Sequence, residues 1–303
     1  MTQTALILGG SGKIGRHAAE AFWNAGWTVR QFNRKTDDMT QAAMGCDVIV
    51  NGLNPPAYYK WEVTIPAITA QVIAAARASN ATVILPGNIY NYGNQPGVLD
   101  ENTPHLATTR KGRVRIAMEQ SYRAAGVQTI ILRAGNFIDP QGNGDIMQML
   151  LLREISKGRV THGGDPDTLQ TYCYVPDWAR AAVMLAEKRD VLDPFEDIPF
   201  PGHAFTYRDL ATQVAARLGK PVRLTAFPWR LMALLSPFWP LARELHEMRY
   251  LFAMPHRIGG AKLARILPDF RASDLTTVMQ AGIAPDIHPD KVMDTGGHTA
   301  AVL

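Results

Sequence analysis

A chain of 303 residues that is 47% hydrophobic can bury one large core, or a core plus a smaller lobe. Net charge is +4, and the only dense basic run is Arg110-Lys111-Gly112-Arg113-Val114-Arg115, so composition argues against a nucleic-acid partner. Two distant cysteines, Cys46 and Cys173, and a strand-like first segment lead to the expectation of a reduced, cytoplasmic protein without a leader peptide.

Thr4 to Leu8 reads as one buried strand, and Lys13 to Ala25 reads as a helix. Between them lies Gly9-Gly10-Ser11-Gly12, and Lys13-Ile14-Gly15 opens the helix. The glycines satisfy both G-x-G-x-x-G and G-x-x-G-x-x-G. Strand, glycine turn and helix in that order make a pyrophosphate site: backbone N–H groups approach the phosphates, and the helix N-terminus adds partial positive charge. Gly9 through Gly15 are therefore candidate cofactor residues. Thr28 to Phe32 reads as the second strand, ending in Asn33-Arg34-Lys35. An acid at that place binds the ribose 2′-OH of NAD, whereas an Arg accommodates a 2′-phosphate. Asn33, Arg34 and Lys35 thus predict NADP(H) in preference to NAD(H).

Met39 to Met44 reads as a weak helix, and Val48 to Asn51 as a strand followed by Gly52-Leu53-Asn54-Pro55-Pro56. Too few residues separate Asn33 from Val48 for a further strand, so the sheet is expected to lack its usual third strand at one edge. A helix is predicted around Ile65 to Ala78, and a strand over Thr82 to Leu85, stopped by Pro86-Gly87. Another helix follows over Gly112 to Ala125, then a strand over Gln128 to Arg133. This alternation predicts an α/β fold with a doubly wound parallel sheet. Its sites gather at the carboxyl ends of the strands, which adds Asn51, Gly52, Leu53, Pro86, Asn88, Asn136 and Phe137 to the candidates. Tyr58, Tyr59, Tyr90 and Tyr92 follow two of those ends and supply hydroxyls.

Beyond Phe205 the pattern is less regular. Thr206-Tyr207-Arg208-Asp209 is a capping box, and its helix ends near Gly219. Val222 to Phe227 reads as a short strand. Trp229 to Ala242 is apolar, but Arg230, Pro237 and Pro240 interrupt it, and it is too short to span a membrane. It reads as a buried or interface-forming helical hairpin, with a membrane-surface patch as the alternative. His246-Glu247 fails the zinc-helix spacing, and no metal site is predicted.

In order and spacing these segments resemble the short-chain dehydrogenase/reductase superfamily, in its extended or atypical branch related to nucleotide-sugar epimerases and dehydratases. The resemblance is carried by Gly9–Gly15, Asp47–Asn51, Val83–Gly93, Leu132–Phe137, Tyr174–Arg180 and Leu267–Phe270. It implies a Rossmann domain over 1–140, with 171–190 returning to it. It also implies a mostly helical substrate lobe over 141–170 and 191–303. It implies a Ser/Tyr/Lys triad as well, but the matching positions hold Asn88, Lys111 and Arg115. Asn88 can donate to a carbonyl oxygen. Lys111 can act as an acid only if its surroundings lower its pKa, and Arg115 can hold ribose or phosphate. A basic helix start opposes the helix dipole, so an anionic cofactor or substrate is expected to compensate it. With Lys111, Asn88, Arg115 and Tyr90 as catalytic candidates and Tyr58, Tyr59, Asn88 and Phe137 facing substrate, two readings stand. One is an NADP(H)-dependent oxidoreductase acting on a small carbonyl or sugar-like compound, as a possible homodimer. The other is a non-catalytic NADP(H)-binding sensor or scaffold.

Overall fold

The structure, a computed structural model, describes residues 2–55, 58, 60–142 and 144–283. In chain order the first half runs β1 (Thr4–Leu8), α1 (Lys13–Asn24), β2 (Thr28–Phe32), α2 (Met39–Ala43) and β3 (Val48–Asn51). It continues through α3 (Trp61–Ser79), β4 (Thr82–Asn88), β5 (Gly97–Leu99), α4 (Arg110–Ala125), β6 (Thr129–Ala134) and β7 (Asn136–Ile138). The second half holds β8 (Arg159–His162), β9 (Gln170–Tyr174), α5 (Val175–Glu187), β10 (Phe195–Pro199), β11 (His203–Phe205) and α6 (Tyr207–Leu218). It ends with β12 (Arg223–Ala226), α7 (Trp229–Leu235), α8 (Pro240–Glu247), α9 (Arg249–Ala253), β13 (His256–Ile258), α10 (Ala261–Ile266) and α11 (Leu275–Ile283).

Six strands form the central sheet in the order β10-β6-β4-β3-β1-β2, all parallel. The expected edge strand is absent: between Asn33 and Asp47 the chain makes only α2. The open edge is blunted by β2 itself, where the Arg30 guanidinium donates to the carbonyls of Ala42 and Met44 at 2.7 and 2.9 Å. Central strands read as unbroken apolar runs because helices cover both faces. One face packs on α1 and α5 through Phe22, Trp178 and Leu185, and the other on α2, α3 and α4 through Trp61, Ile65 and Tyr122.

Two sequence expectations are corrected. Pro86-Gly87 does not stop β4, which runs on to Asn88. Pairing with β3 reaches only Ile84, while β6 accompanies β4 to its end. A proline beyond the last β3 partner removes no ladder bond on that side. Gly87 is required by packing, since a Cβ there would meet Ile131 at 2.6 Å. Second, β10 lies in the stretch allotted to the lobe from sequence, yet it pairs with β6 as the sheet's far edge.

The remaining strands form smaller sheets, β11-β9-β7, β12-β8 and β13-β5. A second core gathers Met147, Leu151, Tyr172, Phe205, Leu210, Phe227 and Phe252 under α6, α7 and α11. Capping follows the sequence: Thr206 and Asp209 close the predicted box on α6, and Gly219 ends it at φ +63°.

Candidate functional site

Gly9 leaves β1 at φ +78°, a conformation open to glycine at little cost. The backbones of β1, β3 and α1 then close on one another. A Cβ on Gly15 would meet the Gly9 carbonyl oxygen at 2.2 Å, and one on Gly52 would meet Leu8 O and Gly15 N at 3.0 Å. Gly12 differs. It is the N-cap of α1 with ordinary extended dihedrals, and the only atom near its missing Cβ is Gly9 O at 3.3 Å. Gly9, Gly15 and Gly52 are packed against protein, while Gly12 and exposed Ser11 front open space at a helix N-terminus. No side chain caps α1, and its first turn carries no acid. Those unpaired N–H groups fit a pyrophosphate.

Two other candidates in this motif have different work. Ile14 is buried in the sheet's core. Lys13 reaches across to the Gly144 carbonyl at 3.2 Å, and burial outweighs Asp145 and Asp139 to lower its pKa. On the next turn of α1, Arg16 and His17 bind buried Asp139 at 3.0 and 2.9 Å. The segment leaving β7 is thereby strapped to the helix that starts the cradle.

At the end of β2, Arg34 and Lys35 are exposed. The Asn33 side chain accepts from Lys35 N at 3.0 Å, and Asn33 N donates to Asp37 at 2.8 Å. Asp37 brings a carboxylate to this turn that sequence spacing did not flag. Hydrogen bonds from Asn33 and Thr36 hold it below the ordinary aspartate range.

At the end of β3, Asn51 is buried; its amide donates to Tyr122 at 3.2 Å and its oxygen accepts from Leu53 N at 3.1 Å. Leu53 packs against the core, as does Phe137 after β6 on the other face. Asn136 lies on β7 in register with Tyr172. Pro86 lies within β4. Tyr59 lies outside the described residues.

The altered triad is dispersed. The Asn88 side chain caps its own turn by accepting from Tyr90 N at 3.0 Å, and its carbonyl accepts from Arg133 at 2.7 Å. Arg115 donates to Asn54 at 2.9 Å and lies over the Trp61 ring. Lys111 is 1% exposed. Its ammonium contacts the Glu244 carbonyl at 3.0 Å, the Glu244 carboxylate at 2.5 Å and Glu247 at 2.7 Å. It donates to the Glu244 carbonyl and the Glu247 carboxylate, and the Glu244 carboxylate adds an ion pair, so its charge is answered from α8. Among the described residues, no hydrogen bond joins Asn88 to Lys111 or Arg115.

The expected anion at the start of α4 is therefore the protein's own. Arg110 pairs with Glu244, Glu247 and Glu62, so three carboxylates answer the basic helix start. Sequence reasoning missed Glu244 and Glu247. Their signal was an acid pair at i and i+3 closing a long stretch without acids. It also missed Arg133, fully buried between Glu119 at 2.8 Å and Asp197 at 2.5 Å. His105, Glu119 and Asp197 converge closely enough for a metal, but the Arg133 guanidinium stands among the two carboxylates.

Next to Lys111 the Tyr58 and Tyr90 hydroxyls meet at 3.3 Å, and the Lys111 ammonium lies 4.7 Å from the Tyr58 ring centre. The Tyr90 neighbour, then burial, push the Tyr58 pKa well above 10, so its hydroxyl keeps its proton. Tyr58 and Lys60 have φ of 59° and 45°, left-handed conformations that cost a side-chain-bearing residue about 1 kcal/mol each. A cavity of about 210 Å³ adjoins this corner, lined by Tyr58, Trp61, Arg110, Lys111 and Glu244.

The chain belongs to the NAD dependent epimerase/dehydratase family, whose description matches residues 5–198. That match ends on β10, the last strand of the central sheet. No curated protein matches the chain. Among solved structures it is similar to MoeE5 in complex with UDP-glucose and NAD, at 15% identity and TM-score 0.72, covering 92% of this chain and 97% of that one. It is similar to a nucleoside-diphosphate-sugar epimerase from Pseudomonas aeruginosa at 16% identity and TM-score 0.69, covering 98% and 99%. It also resembles UDP-glucuronic acid 4-epimerase from Bacillus cereus in complex with NAD, at 14% identity and TM-score 0.71, covering 93% and 97%. At these identities the likeness is one of fold.

Proposed function

We propose that this chain is a nicotinamide-dinucleotide-dependent oxidoreductase of epimerase/dehydratase type, acting on a small carbonyl or sugar-like compound. The observation that carries the reading is the cradle at Gly9–Gly15, where Gly9 and Gly15 are closed by backbone and Gly10 by the Gln31 side chain, while Gly12 and exposed Ser11 face open space. The family, and solved relatives bound to NAD, support a nicotinamide dinucleotide there. When bound, that cofactor donates or accepts hydride. The preference for NADP(H) rests on Arg34 and Lys35, set against the carboxylate of Asp37. Arg115, beside Asn54, is the residue we assign to the ribose on the nicotinamide side. Lys111 holds α8 instead of meeting substrate, so we assign the proton to the Tyr58–Tyr90 hydroxyl pair. The Tyr58 hydroxyl keeps its proton, and both hydroxyls lie next to the strained turn.

A second reading, a dinucleotide-binding sensor or scaffold, is favoured by one observation: α8 fills the place next to Lys111 where the family's tyrosine would meet substrate. Thermal shift with NADPH, NADP, NADH and NAD tests the shared part. A ligand at a hundredfold excess over its Kd stabilises by about 2.7 kcal/mol, and no shift with any of the four overturns both readings. The two part on turnover over a panel of carbonyl and sugar-nucleotide compounds, read as NADPH oxidation for net reduction and as product formation by chromatography where the hydride returns to the product. The enzyme reading expects turnover that Tyr90→Phe cuts by about a hundredfold or more, with the NADPH shift retained. Turnover unaffected by Tyr90→Phe removes the tyrosine pair from the mechanism. Binding without turnover on any compound leaves the sensor or scaffold.

A further inference from the structure

The hairpin of α7 and α8 presents an apolar face that no described part of the chain covers. Met232 and Ala242 are buried, and Trp229, Leu235 and Trp239 pack on the second core. On the outer side Leu231, Leu234 and Phe238 are 47%, 71% and 87% exposed. Leu231 and Leu234 are three residues apart on α7, so they share a face, with exposed Arg230 on the same turn, and Phe238 follows in the turn that joins α7 to α8. Such a group of exposed large apolar side chains on one hairpin marks an interaction surface.

Its charge identifies the partner. From Leu210 to Arg243 the sequence has five cations, Arg217, Lys220, Arg223, Arg230 and Arg243, and no acid. All five cations are exposed. The first acids of the hairpin, Glu244 and Glu247, are turned inward onto Arg110 and Lys111; of the five cations only Arg243 pairs with one of them, Glu244 at 3.5 Å, which leaves Arg217, Lys220, Arg223 and Arg230 without an acid on the hairpin. Exposed leucine and phenylalanine beside Arg223 and Arg230 suit a boundary between acyl chains and anionic headgroups. A second copy of this chain would bring like charge against like charge. Among the described residues no helix is long and apolar enough to cross a membrane, so contact would be from one side.

We propose that the α7–α8 hairpin docks this protein on anionic lipid surfaces, with Leu231, Leu234 and Phe238 entering the headgroup boundary and the surrounding arginines pairing with lipid phosphates. The test is co-sedimentation of the full chain with phosphatidylcholine vesicles, with and without phosphatidylglycerol. Binding is expected only to the anionic vesicles, and it should weaken as salt rises. The pair Leu234→Glu and Phe238→Glu, at exposed positions, should cut it by about tenfold or more with an unchanged melting curve. Arg223→Gln with Arg230→Gln should also weaken it, while leaving the apolar side chains intact. No binding to anionic vesicles overturns the proposal, as does equal binding by the glutamate pair. Concentration-dependent dimerisation abolished by the glutamate pair, without vesicle binding, assigns the face to a second copy and also overturns it.

Discussion

At the scale of single residues, the glycines of the cradle separate into two kinds. Gly15 is there because a Cβ would collide with backbone at 2.2 Å, so Gly15→Ala should damage the fold itself. Gly12 has φ −84° and ψ 166°, dihedrals that any residue adopts, and its added Cβ would meet one atom at 3.3 Å. Gly12→Val should therefore fold with a near-normal melting temperature and lose dinucleotide binding, because the branched side chain enters the phosphate's space. Calorimetric titration with NADPH on the folded variant checks this; unchanged affinity would make the motif a bare turn. Arg34 stands on the opposite side of the same cofactor reading. Arg34→Ala should weaken NADPH binding by about tenfold, near 1.4 kcal/mol, and leave NADH unaffected. Asp37→Asn should shift the ratio the other way, towards NADPH. Equal affinities for both cofactors in the unaltered protein would end this line of argument. The glycines were legible in sequence because their spacing is short-range. Asp37 was not, since it reaches the β2 end only through a turn that hydrogen-bonds back to Asn33.

At the scale of elements, most of the first half was readable because each strand and helix carries its own periodicity. Even the missing edge strand followed from counting residues between Asn33 and Val48. What sequence could not supply is which distant elements touch. α8 is more than a hundred residues from α4, yet it decides what Lys111 does. The Thr109 cap and three carboxylates stabilise a helix start that looked unfavourable alone. Lys111→Met would remove the buried cation and leave the buried Glu244 and half-buried Glu247 with only Arg110 and Arg243 as cationic partners. Removing one member of a buried pair costs about 3 kcal/mol or more, so urea unfolding should show a loss of that size. Lys111→Met with Glu244→Leu and Glu247→Leu should recover part of it, because an apolar triad needs no compensation. A lysine variant of unaltered stability would mean that α8 does not depend on this contact.

At the scale of the whole molecule, these buried groups make stability depend on acid in two stages. His256 is 1% exposed, and burial lowers its pKa below 6.5 more than its contact with the Met254 carbonyl raises it. Burial lowers His105 as well. A histidine whose folded pKa is depressed binds fewer protons than in the unfolded chain, so its contribution is full above 6.5 and is lost as pH falls below it. Glu244 adds the second stage. Burial pushes its carboxyl up, but hydrogen bonds and charge from Arg110 and Lys111 more than offset this and leave it below 4.5. Asp139 is likewise held below 3.8, burial being outweighed by His17, Gln141 and Arg16. Both carboxylates stabilise above their unfolded values and lose that effect as pH falls through the folded ones. Asp145 runs the other way, since burial raises it, but it is one group against two. The melting temperature should therefore decline gently from about pH 6.5 and more steeply below about pH 4.5. His256→Asn, which keeps a donor for Met254, should flatten the first limb and leave the second. A melting temperature constant from pH 7 to pH 4 would refute the arrangement, and a first limb that survives His256→Asn would move its origin to His105, whose imidazole lies 3.9 Å from the Asp197 carboxylate beside Arg133.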